Sequence, residues 1–327
     1  MLKLKRFAPA AALAVVAAVS IGYAAEDDGV KAKETVYDKP KEFKIIASTA
    51  PVQAFAVLKD VVWYATEEVL ISQPLNSKSH QLFPKMGNIA STGITSMVAD
   101  PMGRLWVAGE AGVAVRVGNN FTSYTSENGI PAGKVTAVAA GSGGEVWIGT
   151  ENGAARFRDG SWTKYTTAEG LASNKIQAVI ADSRGKIYLG TDKGLTTYDG
   201  MKFENLNAKN TGSDGLDWNN VKVLAKEPNK DVIWMTDGPK NINSFDGKKW
   251  RRFMEIQDGI TSIMCDGRWI WFGAGADLLR FNGEEWVYNK GGTLGVPEMA
   301  QVNAMYRDAS GLLWFGMERG VMFQISK

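Results

Sequence analysis

The sequence predicts an all-β chain. It reads as a seven-bladed β-propeller with four-stranded antiparallel blades, closed by an N-terminal strand that completes the last blade. Three observations carry this. A stretch of about thirty residues, Val135–Thr166, returns almost unchanged at Ile176–Leu206. A large aromatic recurs through the chain as Trp63, Trp106, Trp147, Tyr188, Trp234, Trp271 and Trp314, with gaps of 43, 41, 41, 46, 37 and 43 residues. That spacing matches the roughly 40–50 residues a propeller blade uses. Third, the last repeat has only three strand patterns, while Phe43–Ser48 is a strand pattern left over before the first full repeat.

Each repeat divides into four short strands. In the clearest one, Val135–Ala140 ends at a Gly-rich turn and Glu145–Thr150 carries the large aromatic. Ala154–Arg158 runs to the Asp159-Gly160 turn, and Trp162–Thr166 opens on a second aromatic. The turn recurs as Asp199-Gly200, Asp246-Gly247 and Asn282-Gly283. Such dipeptides supply the positive φ angles that tight hairpins need. A unit of this kind cannot bury both faces alone, so it must stack on copies of itself. The second-strand aromatics are then the wedges between blades. A leftover strand from the start of the chain, paired into the last sheet, would latch the ring and remove its open edge.

The chain ahead of the repeats divides in two. Lys3, Lys5 and Arg6 precede an apolar run to Gly22, and small residues follow. Residues 1–24 read as a cleavable signal peptide, the run being short for a bilayer span, which needs about 20 apolar residues. Residues 25–42 read as a charged, flexible leader. The propeller occupies residues 43–327, and a periplasmic or secreted location is expected. The formal net charge of the whole chain is +2, and the signal holds three bases and no acid. The remainder is therefore close to neutral and has no electrostatic footprint for nucleic acid. Neither nucleic-acid binding nor stable membrane insertion is expected.

One cysteine, Cys265, and one histidine, His80, exclude much chemistry. Cys265 sits in a first-strand pattern and reads as a small buried hydrophobe. His80 lies in the weakest repeat, at the start of an outer strand, far from a central channel. No haem, phosphate-loop or zinc motif is present. No catalytic residue, cofactor or metal is expected.

The repeats resemble the two-component regulator propeller repeat. The resemblance rests on Gly144-Glu145-Val146-Trp147-Ile148-Gly149-Thr150, Gly153, Asp159-Gly160-Ser161-Trp162 and Gly170-Leu171-Ala172-Ser173-Asn174. It is close in two central repeats, fair in four and weak in the first. It implies an extracytoplasmic binding scaffold, often the periplasmic sensing part of hybrid histidine kinases. No membrane helix, kinase or DNA-binding module follows the repeats here, so relay through its own chain is not expected. Two alternatives stand beside it: a structural part of an envelope or secretion assembly, and a lyase like the streptogramin-degrading propellers. The lyase would need a histidine as acid or base, and His80 is poorly placed for it.

Strand order puts the fourth-to-first links on one face, together with the second-to-third turns. Two of those links are long, Asn207–Asn220 and Asn289–Gln301. Trp218 occupies a place in the first of them where the neighbouring repeat has Ser173. An indole in a loop can anchor a sugar or a partner protein, or fold back as a lid. Trp218, with Asp217 and Asp214 beside it, forms the expected binding site. The ligand is an extracytoplasmic protein or a small molecule, a carbohydrate among the candidates. The two acids lack the fixed alternation of a calcium loop and read as solvated. Asn174 and Asn220 read as turn-makers, and Arg251 and Arg252 as a solvated strand end on the opposite face.

Overall fold

The computed structural model describes residues 43–45 and 51–324, apart from 76, 239, 257–258, 276, 290–300, 309–310 and 319. The expected signal peptide, the leader and most of the link after Asn289 lie outside the described residues. Apart from one 3-10 turn, Ser126–Asn128, the elements are strands.

The strands form antiparallel four-stranded meanders. Blade 3 is representative, with Val135–Ala140, Val146–Thr150, Gly153–Arg158 and Ser161–Tyr165 in spatial order. The expectation of seven blades needs a correction. Blades built from consecutive strands number six, not seven, beginning at Ala54, Ile94, Val135, Ile176, Leu224 and Ser262. The remaining four-stranded sheet is composite. Val302–Arg307, Leu313–Met317 and Gly320–Gln324 supply three strands, and Phe43–Ile45 pairs antiparallel with the last of them. The reason is the one visible at the chain's end: the last repeat has three strands of its own. A hairpin that the repeat pattern did not foretell, Lys85–Met86 with Ile89–Ala90, follows blade 1. It buries Met86 and Ile89 in the core between blades 1 and 2.

One register runs through the blades. Trp147 lies opposite Arg156, and Arg156 opposite Thr163. Trp106, Trp147, Trp314 and Tyr188 are fully buried. Trp106 and Trp147 meet rings of their own or the next blade. Trp106 stands edge-on to Phe157 at 5.1 Å, and Trp147 tilts against Tyr198 at 5.4 Å. An aromatic of this size covers about 150–250 Å², so its burial is worth roughly 4–6 kcal/mol before entropy. The glycine two residues on makes room for the neighbour. A Cβ on Gly149 would come within 2.4 Å of Ile176 in the next first strand, and one on Gly190 within 2.5 Å of the Val221 carbonyl.

Two further devices hold the ring, and both are written in the repeat. The residue that directly follows the first strand and opens its turn accepts a hydrogen bond from the buried aromatic. Trp106 Nε1 donates to Asp100 at 2.9 Å, Trp234 Nε1 to Glu227 at 3.0 Å, Trp271 Nε1 to Asp266 at 2.7 Å and Trp314 Nε1 to Asp308 at 2.8 Å. The Tyr188 hydroxyl reaches Asp182 at 3.4 Å. Blades 1 and 3 break the rule: Lys59 and Gly141 hold that place, and Trp147 Nε1 is buried without a partner.

The second device is a belt around the axis. Thr95, Thr136 and Thr261 donate to the carbonyls of Val135, Ile176 and Val302 in the following blades, at 2.6, 2.8 and 2.6 Å. Gln177 does so to Asn220 Oδ1 at 2.8 Å, and Asn303 to the Val52 carbonyl at 3.2 Å, across the seam between the chain's ends.

Candidate functional site

Blade 5 departs from the repeat at the end of its second strand, Ile233–Asp237. In blades 3 and 4 that last position is Thr150 or Thr191, and its hydroxyl caps the turn that follows it. In blade 5 it is Asp237. Its carboxylate is wholly buried and turns instead to the link that arrives from blade 4. The backbone N–H of Trp218 donates to it at 3.0 Å and that of Asn220 at 3.3 Å, and the Asp217 N–H also donates to it. Backbone N–H groups converging on a carboxylate are charge-assisted bonds that compensate its burial. Asp237 therefore fixes the backbone on which the expected site residues stand.

The link is also ordered from within. The Thr211 hydroxyl donates to the Asn207 carbonyl and accepts the Leu216 N–H, both at 2.9 Å. Leu216 is buried beside Tyr188 and Leu195. Asn219 has φ +58°, in the left-handed region asparagine tolerates, and its side chain accepts the Ala208 N–H at 2.6 Å. Asn174 accepts the Thr167 N–H at 2.8 Å in the preceding link. The turn-maker matching Asn174 is thus Asn219, not Asn220. Asn220 belongs to the belt.

Trp218 is 63% exposed. Its indole covers Gly238 in the blade 5 turn, where an added Cβ would meet the Trp218 side chain at 2.6 Å. The ring is therefore a shelf seated on blade 5, not a lid on blade 4. Asp217 forms a two-point pair with Arg252: Nη1 lies 2.7 Å from Oδ2, and Nη2 donates to Oδ1 at 2.8 Å. Asn241 Nδ2 adds a third donor at 3.3 Å. Arg252 Nη2 also reaches the Gly215 carbonyl at 3.0 Å. The reading of Arg252 as a solvated strand end is thereby corrected. Residues alternate sides along a strand, so Arg252 points back toward the link while its neighbour Arg251 faces the other way. Asp214 stays outside the group: it is exposed, and its contact is with Ser213 at 3.5 Å.

The structure thus brings together Trp218, Asp217 and Arg252 over Asp237 and leaves Asp214 apart. Asp237 and Arg252 were not foreseen as site residues. Asp237 has a sequence signal, since aligning Trp147-Ile148-Gly149-Thr150 on Trp234-Met235-Thr236-Asp237 sets an acid against a threonine. His80 is exposed beside the outer strand Gln81–Phe83. Cys265 is buried and free, and burial pushes its thiol up.

Comparison with known proteins gives a fold and no family. No family model matches the chain, and no curated protein sequence does. Among solved structures, the extracellular domain of the putative one component system BT4673 from B. thetaiotaomicron superposes with a TM-score of 0.68 at 18% identity. The match covers 87% of this chain and 40% of that one, so the chain spans well under half the length of that relative. A streptogramin B lyase matches with a TM-score of 0.69 at 13% identity, over 86% of this chain and 96% of the lyase. YCF48 bound to D1 peptide matches with a TM-score of 0.68 at 14% identity, over 91% and 100%. At these identities the likeness is one of fold, and one fold hosts many functions. Among the described residues, no helix is long and apolar enough to cross a membrane.

Proposed function

We propose that this protein is a non-catalytic, extracytoplasmic binding scaffold, akin to the sensing propellers of two-component systems, that takes its ligand or protein partner on the face around Trp218. One observation carries the reading: a 63% exposed indole stands on backbone that a buried carboxylate has already ordered. A site fixed before the ligand arrives loses little entropy on binding. The flat indole face suits a sugar ring or an apolar partner side chain. The Asp217–Arg252 pair beside it offers polar groups to fix orientation. The extracellular sensor-type neighbour supports this reading, and the exposed position of His80, the one histidine of the chain, speaks against the lyase alternative.

The test is Trp218→Ala, measured by thermal shift against an oligosaccharide panel and by capture of partners from an envelope extract. The exposed ring contributes little to folding, so stability should change by about 0.5 kcal/mol or less. Affinity for whatever the wild-type chain binds should fall at least about tenfold, the usual effect of losing an aromatic anchor. Full retention of affinity would remove this face from consideration. Stoichiometric recovery of one envelope protein with no sugar response would point to an assembly role.

A further inference from the structure

On the opposite face, the core between blades 5 and 6 does not close. A cavity of about 300 Å³ opens among the turns there. Its floor is apolar, made by Phe253, Cys265 and Phe281, and its rim carries Lys249, Arg251 and Arg268.

Cations outnumber acids along the cavity, with Lys230, Lys249, Arg251 and Arg268 set against Glu227 and Asp246. Both acids are engaged. Glu227 accepts the Trp234 indole N–H and pairs with Lys230 at 3.0 Å. Asp246 accepts the backbone N–H groups of Lys249 and Lys248, at 2.7 and 2.9 Å, which hold its carboxyl below the ordinary range. Among the described residues, no carboxylate comes within ion-pair distance of Lys249, Arg251 or Arg268, although Asp246 is near enough to Lys249 and Arg251 to feel their charge. Arg268 is held at the rim over the face of Trp269, 5.9 Å from the ring centre.

The arrangement is particular to blade 5. The register places Arg251 opposite Ser244 and Ser244 opposite Trp234. The same fourth-strand position holds Gln81, Thr122, Thr163, Glu204 and Val287 in the other consecutive blades. A guanidinium stands at that place only here, next to a cavity.

We infer that this groove is a second binding site, for a small organic carboxylate with an aromatic body. The apolar floor takes the ring, and the cations at the mouth take the charge. A volume of about 300 Å³ is at the small end of ligand pockets and suits a single-ring acid. Arginine binds a carboxylate through two parallel N–H donors, which a neutral isostere cannot match.

The test uses phenylacetate and its neutral counterpart 2-phenylethanol, titrated into the whole protein by calorimetry at low salt. Phenylacetate should bind, and the alcohol should bind at least about tenfold more weakly. Arg251→Gln and Arg268→Gln should each weaken phenylacetate about tenfold while leaving the melting temperature unchanged, since both side chains are exposed. Arg158→Gln, an exposed arginine of blade 3, should leave binding as it was. The proposal is overturned by absence of binding up to about 10 mM, by equal affinity for acid and alcohol, or by Arg251→Gln binding like wild type.

Discussion

Blades 3 and 5 are the same meander built to different ends. Blade 3 follows the repeat signature closely, and its second strand ends on Thr150, which caps its own turn. Blade 5 lies 46 residues on from blade 4 and ends that strand on Asp237, which caps a neighbour's link. Blade 3 leaves a buried indole N–H unpaired. Blade 5 pairs its indole with Glu227 and carries both candidate sites, one on each face, through two successive arginines. Close adherence to the motif marks scaffold, and departure from it marks where the molecule can do something else.

The comparison can be broken at its strongest point first. Trp147→Ala should cost about 3–5 kcal/mol, as the loss of a buried aromatic between two blades does. An unchanged midpoint in a denaturant melt would show that the indole is no wedge. Next, Asp237→Ala should cost about 2–3 kcal/mol, because three backbone donors lose a charged acceptor. Thr150→Ala, at the same place in blade 3, should cost about 1 kcal/mol. Proteolysis within residues 207–220 should rise in the first variant only. Equal losses and equal cleavage would mean that Asp237 has no special hold on the link.

The smallest expected effect is a gain. Gly141→Asp would restore to blade 3 the acceptor that blades 2, 4 and 6 possess. The backbone there does not have a positive φ, and the nearest atoms to the new Cβ would belong to the flexible Glu145 side chain, the first at 2.9 Å. Stability should rise by about 1 kcal/mol, read as a higher melting temperature. A fall would show that Trp147 Nε1 already has a partner, such as an ordered water.

How much of this was readable beforehand follows the same division. The strands, the wedge aromatics and the glycine beside them repeat at a fixed period, so one copy interprets another. Gly141 was also in plain view, but only knowledge of what Asp100 and Asp266 do gives its absence meaning. Arg252 was not readable. Its pairing with Asp217 joins an outer strand to a link 35 residues earlier, through a fold in the link that no repeat specifies. The groove between blades 5 and 6 was hidden for a related reason: a cavity arises from side chains of two blades failing to meet, which neither blade's sequence records.

Those ends set an order of events. The sheet that shuts the ring draws Phe43–Ile45 from the start of the chain and Gly320–Gln324 from its finish, and Asn303 ties the same seam to Val52. Nearly the whole polypeptide must emerge before its first strand has anywhere to go. Contacts of such long reach form slowly. A truncation that removes either partner of this pairing should leave the last sheet with a bare strand edge, open to aggregation.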